Sequence, residues 1–311
     1  MGEPSWAEPS VSVVIATRGR GELLRRAVRS IVAQQYGGAL EIVVVYDQTE
    51  IDELDDLRSE GIGAVRLTTI ANTRTPGLAG GRNTGIAAAQ GEWIAFCDDD
   101  DEWTVGKLRA QAEAWAQHPD AVGMSSGVEI VTLSGSVTRI PPTVTTRDDF
   151  LASRVSDIHP SSFLFRRSDL QDLPGGVDEE IPSSYAEDYD VLLRMTERGP
   201  IVSVPEPLVI VHWDRDSYFA GRWIPMAEGL GFLLGKHSDL LLHDGNAARM
   251  CGQVAFAYAA GGDKAQARTW ARRARGHRLT EPRALLTWIV LTGLLTPKTI
   301  IAILNKRGKG I

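Results

Sequence analysis

An α/β sheet domain followed by a helical extension is the architecture this sequence predicts, and three observations predict it. Short β-branched apolar runs alternate with amphipathic helical segments through the first hundred or so residues, polar clusters fall directly after those runs, and from about residue 245 the pattern is helix only.

The first run, Val11 to Thr17 (VSVVIAT), reads as a buried strand. Glu22 to Gln35 follows with Leu23, Leu24, Ala27, Val28 and Ile31 at helical spacing, and Glu41 to Asp47 (EIVVVYD) repeats the strand signal. Strand, helix and strand with short links imply a parallel sheet with right-handed crossovers. A third unit joins the Gly- and Ala-rich helix around Gly80 to Ala89 to the strand opening WIAFCDDDDEW (Trp93 to Trp103). Ligands of open α/β sheets sit at the carboxyl ends of strands, so Thr17 to Arg20, Asp47 and Asp98 to Asp101 define one candidate crevice.

Beyond residue 245, Ala247, Met250, Cys251, Val254 and Tyr258 share one helical face, Gly261-Gly262 breaks the pattern, and Ala267, Trp270, Ala271 and Ala274 share another. This predicts a helical hairpin, similar in spacing to a single tetratricopeptide-like unit. The apolar stretch Ala284 to Leu295 stops at Pro297-Lys298 and resumes at Ile300 to Leu304. A bilayer span needs about 20 apolar residues, so a docking or interfacial segment is expected instead.

Composition narrows the class of function. The chain has 311 residues, 43% hydrophobic, with 33 Lys+Arg against 40 Asp+Glu. Residues 241–311 carry 12 basic and 3 acidic residues, a net of +9, which leaves −16 for residues 1–240. An acidic front argues against nucleic acid as the ligand. Two well-separated cysteines, Cys97 and Cys251, offer neither zinc spacing nor a redox motif. The N-terminus lacks the order of a signal peptide, so a cytoplasmic location is expected.

The sharpest chemical feature is Asp98-Asp99-Asp100-Asp101 at a strand's carboxyl end. Adjacent carboxylates repel, and a hard divalent cation that also bridges a diphosphate relieves that repulsion. Mg²⁺ or Mn²⁺ fits best. A second pair, Glu187-Asp188, opens a helix with Val191, Leu192 and Met195 on its apolar face. Ser184 and Glu187 also fit a capping box, which leaves a structural reading open for that pair.

These motifs, in the order VSVVIATRGR, EIVVVYD, GLAGGRNTGIAAAQGEWIAFCDDDDEW and YAEDYDVLLRM, resemble the family 2 glycosyltransferases over about residues 1–215. The resemblance implies a GT-A fold over 1–215, a helical extension over 216–311, and sugar transfer from a nucleotide diphosphate sugar to a hydroxyl of a glycan, lipid-linked sugar or small molecule, with inversion. Carried over by position, the acidic motif falls on Asp98 and Asp100, with Asp99 as a ribose or metal contact and Asp100 as the first metal ligand. Thr17, with Arg18 beside it, and Asp47 match nucleobase positions; Arg82 and Asn83 match the pair beside the nucleotide. Asp188 maps to the general base, with Asp190 as its competitor. His212 lies where GT-A enzymes place a late metal or diphosphate contact, and His159 where related sequences build the acceptor side, whose loops are expected in Pro141 to Arg154 and His159 to Ser162. Trp103 and Trp213 are candidates to stack on a sugar. Where the family commonly has Pro-Thr-Tyr-Asn and Asp-Asp-Gly-Ser, this chain has Ala16-Thr17-Arg18-Gly19 and Tyr46-Asp47-Gln48-Thr49.

Two other classes compete: a sugar-phosphate nucleotidyltransferase, which would favour a Gly-rich, Lys/Arg-bearing first loop where this chain has the short, Lys-free ATRGR, and a non-catalytic nucleotide-sugar binding module. The basic tail, with Lys298, Lys306, Arg307 and Lys309, has two open readings: peripheral contact with the inner face of a membrane, or packing on the catalytic domain.

Overall fold

The computed structural model describes residues 8–133, 135–213 and 221–305. The chain forms two compact units. One comprises residues up to Phe150, Val155–Glu179 and Asp188–Asp216; the other comprises Leu151–Arg154, Glu180–Glu187 and Ser217 onward.

The first unit opens with β1 (Val11–Thr17), α1 (Gly21–Val32), β2 (Leu40–Tyr46), α2 (Asp55–Glu60), β3 (Arg66–Ala71), α3 (Leu78–Ala88) and β4 (Trp93–Phe96). β3, β2, β1 and β4 are successive parallel neighbours, which is the parallel sheet expected from the alternating pattern. β1 is buried on both faces, as interior parallel strands are. Val11, Val13 and Ile15 point into a cluster with Leu24, Ala27, Val28 and Ile31 of α1. Val14 points the other way, toward α3: a Cβ on Gly85 would lie 2.3 Å from its Cγ1, and one on Gly81 would lie 2.9 Å from the Cβ of Ala16. The glycines of LAGGRNTG therefore let α3 lie directly on β1.

The unit continues with β5 (Glu102–Trp103), α4 (Lys107–Gln117), β6 (Gly123–Thr132), β7 (Gly135–Arg139), β8 (Val144–Thr145), α5 (Arg147–Ala152, which crosses into the second unit), β9 (Leu164–Arg166), α6 (Arg167–Gln171), α7 (Glu187–Met195) and β10 (Ile201–His212). The sheet order is β3-β2-β1-β4-β9-β6-β10-β5. β9 runs antiparallel between β4 and β6, so the turn Pro160–Ser162 that feeds it lies beside the carboxyl end of β4.

In the second unit, α8 (Trp223–Lys236), α9 (Asp244–Ala260), α10 (Lys264–His277), α11 (Pro282–Leu291) and α12 (Pro297–Asn305) follow one another. α9 and α10 form the expected hairpin across Gly261-Gly262, with Asp263 capping α10 through the N–H groups of Ala265 and Gln266. No helix among the described residues is long and apolar enough to cross a membrane. Lys306, Arg307 and Lys309 lie outside the described residues.

Candidate active site

Four loops converge at the carboxyl ends of β1, β2, β3 and β4, and the acidic run is their centre. Residues 98–101 form a tight turn in which the Asp101 N–H donates to the Asp98 carbonyl at 3.2 Å. The turn gives alternate side chains opposite fates. Asp99 and Asp101 are buried, whereas Asp98 and Asp100 keep 28% and 32% of their side-chain surface exposed.

Each buried carboxylate is served from a different element. Thr17, the last residue of β1, donates its hydroxyl to Asp99 Oδ2 at 2.7 Å, and Arg20 donates to Oδ1 at 3.0 Å. Asp101 accepts from Ser161 Oγ at 2.5 Å and from the His212 N–H, and faces His159 Nδ1 at 3.5 Å. The half-exposed pair meets two arginines: Arg20 reaches Asp100 Oδ2 at 2.7 Å, and Arg82 reaches Asp98 Oδ1 at 3.0 Å while lying over the Phe96 ring.

Burial shapes the electrostatics. It raises the Asp99 carboxyl to about 6, against the pull of Thr17 and Arg20. Burial, and then the charge of Asp98, raise Asp100, and the same two causes hold Asp101 well above the carboxylate range. Burial lowers His159, opposed by the charges of Asp98, Asp188 and Asp100. Asp188 is thus within electrostatic reach of the same histidine as the acidic run.

The structure redistributes several of the residues singled out from sequence. The expected metal set was Asp98, Asp100 and His212. Among the described residues, the group whose ligand atoms all lie within 4.8 Å of one another is Asp98, Asp101 and His159. The His212 imidazole pairs instead with Glu102 at 2.8 Å, because Glu102 and Ile210 are partners in the β5–β10 ladder two residues away. Asn83, expected beside the nucleotide, turns into the protein. Its amide donates to the Val177 carbonyl and to Glu179, both at 2.7 Å, and its oxygen accepts from the Val177 N–H at 2.8 Å. A side chain so engaged clamps the 176–179 loop onto α3.

Asp47 is buried and holds the loop after β3, accepting from Asn72 at 2.8 Å and from the Gly77 N–H at 3.1 Å; Arg18 stands 4.0 Å away, half exposed. Asp190, the competitor of Asp188, is fully buried and ion-paired to Arg194 at 2.6 Å. The capping box proposed for Ser184 and Glu187 does not have the required backbone: Ser184 and Ala186 take left-handed φ of 54° and 71°, not the extended form of an N-cap. Trp103 is a core residue whose indole N–H donates to the Ser161 carbonyl at 2.9 Å under the Lys107 ammonium; Trp213 is 52% exposed, with Arg139 over its ring.

Sequence reasoning missed Asn72 and Glu179, and reached Arg20 and Ser161 only as members of flagged loops. Arg20 sat in a flagged loop, but only folding shows it spanning two carboxylates. Glu179 gathers Arg74, the Thr75 N–H and Asn83 with no motif to announce it.

Residues 12–173, just over half of the chain, match the model of Glycosyl transferase family 2. The chain belongs to that family. Its members that resemble it include WcaA of Escherichia coli K12, named for glycosyl transfer in colanic acid biosynthesis, at 28% identity over 66% of this chain and 72% of WcaA. WfaP of Escherichia coli, a UDP-Glc:α-D-GlcNAc-diphosphoundecaprenol β-1,3-glucosyltransferase, is 33% identical over 32% of this chain and 39% of its own length. Among solved structures, the mannosyltransferase PcManGT of Pyrobaculum calidifontis, in complex with GDP-Man and Mn²⁺, superposes with a TM-score of 0.56 at 18% identity, covering 93% of this chain and 87% of that one. The fold of this chain is GT-A, and its class of enzyme is glycosyltransferase.

Proposed function

We propose that this glycosyltransferase is inverting and metal-dependent, and that it moves a sugar from a nucleotide diphosphate sugar to an acceptor hydroxyl. The observation that carries the reading is the convergence of Thr17, Arg20, Arg82, His159 and four carboxylates on one crevice, with Asp188 close enough to act on the charge of His159. In this reading Asp47 and Arg18 serve the nucleobase, and Arg20 and Arg82 supply countercharge to a diphosphate.

The donor set fits a divalent cation: carboxylate oxygens suit Mg²⁺, and Mn²⁺ accepts an imidazole as well. Asp98 and Asp100 are the proposed ligands, since their side chains stay partly exposed while Asp99 and Asp101 are buried. Asp98 with Asp101 and His159 is the second set the geometry offers. A bound cation would neutralise charge developing on the leaving diphosphate. Asp188 accepts the proton of the attacking hydroxyl as that oxygen approaches the anomeric carbon from the side opposite the diphosphate. One displacement inverts the centre, and the protein forms no covalent bond to sugar.

The sequence and the relatives favour an acceptor hydroxyl on a lipid-linked glycan, met at the inner face of a membrane by the basic part of the chain, residues 241–311. The roles are tested by Asp188→Asn, which keeps volume and removes the base. Turnover should fall about 10²–10⁴-fold with donor affinity within twofold of wild type. Unchanged turnover would remove Asp188 from the mechanism. Pyrophosphate chemistry, or binding without transfer, would transfer the assignment to a nucleotidyltransferase or a binding module.

A further inference from the structure

Helix α10 carries a cationic row that nothing in the sugar-transfer reading uses. Lys264, Arg268, Arg272 and Arg275 are all exposed and fall within about 80° of arc on one face, spread along roughly 16 Å of helix. The helix contains no acidic residue, and the stripe it buries, Ala267, Ala271 and Ala274, flanks the cationic row about a quarter-turn away. Among the described residues none of the four has an ion pair, whereas His277 at the helix end is paired with Asp244 and Arg273 lies over Trp270. Arg278 and Leu279, both exposed, continue the patch past the helix end, Leu279 with 71% of its surface open.

Four unpaired cations in one row on a straight helix carry a cost of mutual repulsion that a facing anionic surface would relieve. We propose that α10 is a membrane-docking face, and that its occupant is the headgroup layer of an anionic phospholipid bilayer. Guanidinium groups at one-turn intervals match a flat array of phosphates, with three of the four able to bind phosphate in bidentate fashion. Charge along the chain favours this partner over a nucleic acid. Residues 1–240 carry −16, which disfavours a long polyanion as the partner. This places the contact on α10 and not on the basic tail considered from sequence. The proposal deepens the lipid-linked acceptor reading, yet it is read without donor or acceptor, so either can fail alone.

The test is co-sedimentation of the full chain with phosphatidylcholine vesicles made with and without phosphatidylglycerol. Wild type should bind the anionic vesicles at low salt, release at high salt, and ignore the neutral ones. Each cation near an anionic surface is worth about fivefold in partitioning. The double variant Arg268→Gln/Arg272→Gln should therefore bind about 25-fold more weakly, with its far-UV spectrum and melting unchanged, since Gln is nearly as good a helix former as Arg. Lys306→Gln/Arg307→Gln/Lys309→Gln should retain most of the binding. The proposal is overturned if wild type does not bind, if the tail variant loses binding while the α10 variant keeps it, or if single-stranded RNA captures the protein and vesicles do not.

Discussion

Asn83 provides the most direct separation of structural from ligand-binding roles. Asn83→Ala removes three hydrogen bonds of 2.7, 2.8 and 2.7 Å to Val177 and Glu179. Glu179 keeps Arg74 and the Thr75 N–H, so its loss is small. Val177 is 1% exposed, so its N–H and C=O are left buried and unpaired. Each such orphan costs about 1–3 kcal/mol, and the better helix propensity of alanine returns about 0.6 kcal/mol within α3. The net expectation is a loss of about 2–5 kcal/mol, a large share of a typical domain stability of about 5–15 kcal/mol. Urea unfolding should show a lower midpoint at unchanged slope, while calorimetry at a temperature where the variant is folded should give donor affinity within twofold of wild type. Stability within about 0.5 kcal/mol of wild type together with a tenfold loss of donor affinity would refute the clamp and return Asn83 to the nucleotide.

Lys107 is fully buried, bonded to Gln111 at 2.9 Å and lying over Trp103, and burial lowers its pKa to about 7. Between about 7 and the ordinary 10.5 the unfolded chain binds more protons than the folded one, so this group makes stability rise with pH across that window. Wild type should gain about 1–3 kcal/mol over Lys107→Met between pH 7 and 9.5 in urea melts, and parallel curves would show that Trp103 and Gln111 hold the ammonium unshifted. Asp98→Asn, which touches both candidate ligand sets, should abolish Mn²⁺ binding in the presence of donor. Asp100→Asn should weaken it far more than Asp101→Asn, and the reverse order by electron paramagnetic resonance would select the set containing His159. Gly85→Ala drives a methyl to within 2.3 Å of Val14 and should cost about 1–3 kcal/mol in thermal unfolding; a neutral result would mean that α3 lifts from β1 freely.

The alternation of β-branched runs with amphipathic helices was enough to read the parallel half of the sheet, because an interior parallel strand must be apolar on both faces and its crossover helix apolar on one. The same local logic placed Asp98–Asp101 at a strand end and the break of the α9–α10 hairpin at Gly261-Gly262. Nothing local could say that β9 enters antiparallel beside β4 and carries His159 and Ser161 to Asp101, some 60 residues away in sequence. Nor could spacing reveal which way single side chains face. A tight turn buries Asp99 and Asp101 and exposes their neighbours, Asn83 turns inward because the 176–179 loop brings it unpaired backbone groups, and Trp103 is held in the core by Ser161 and Lys107. Residue type and period fix what an element must bury. Which polar groups end as partners depends on contacts between segments distant in sequence, and those exist only once the chain has folded.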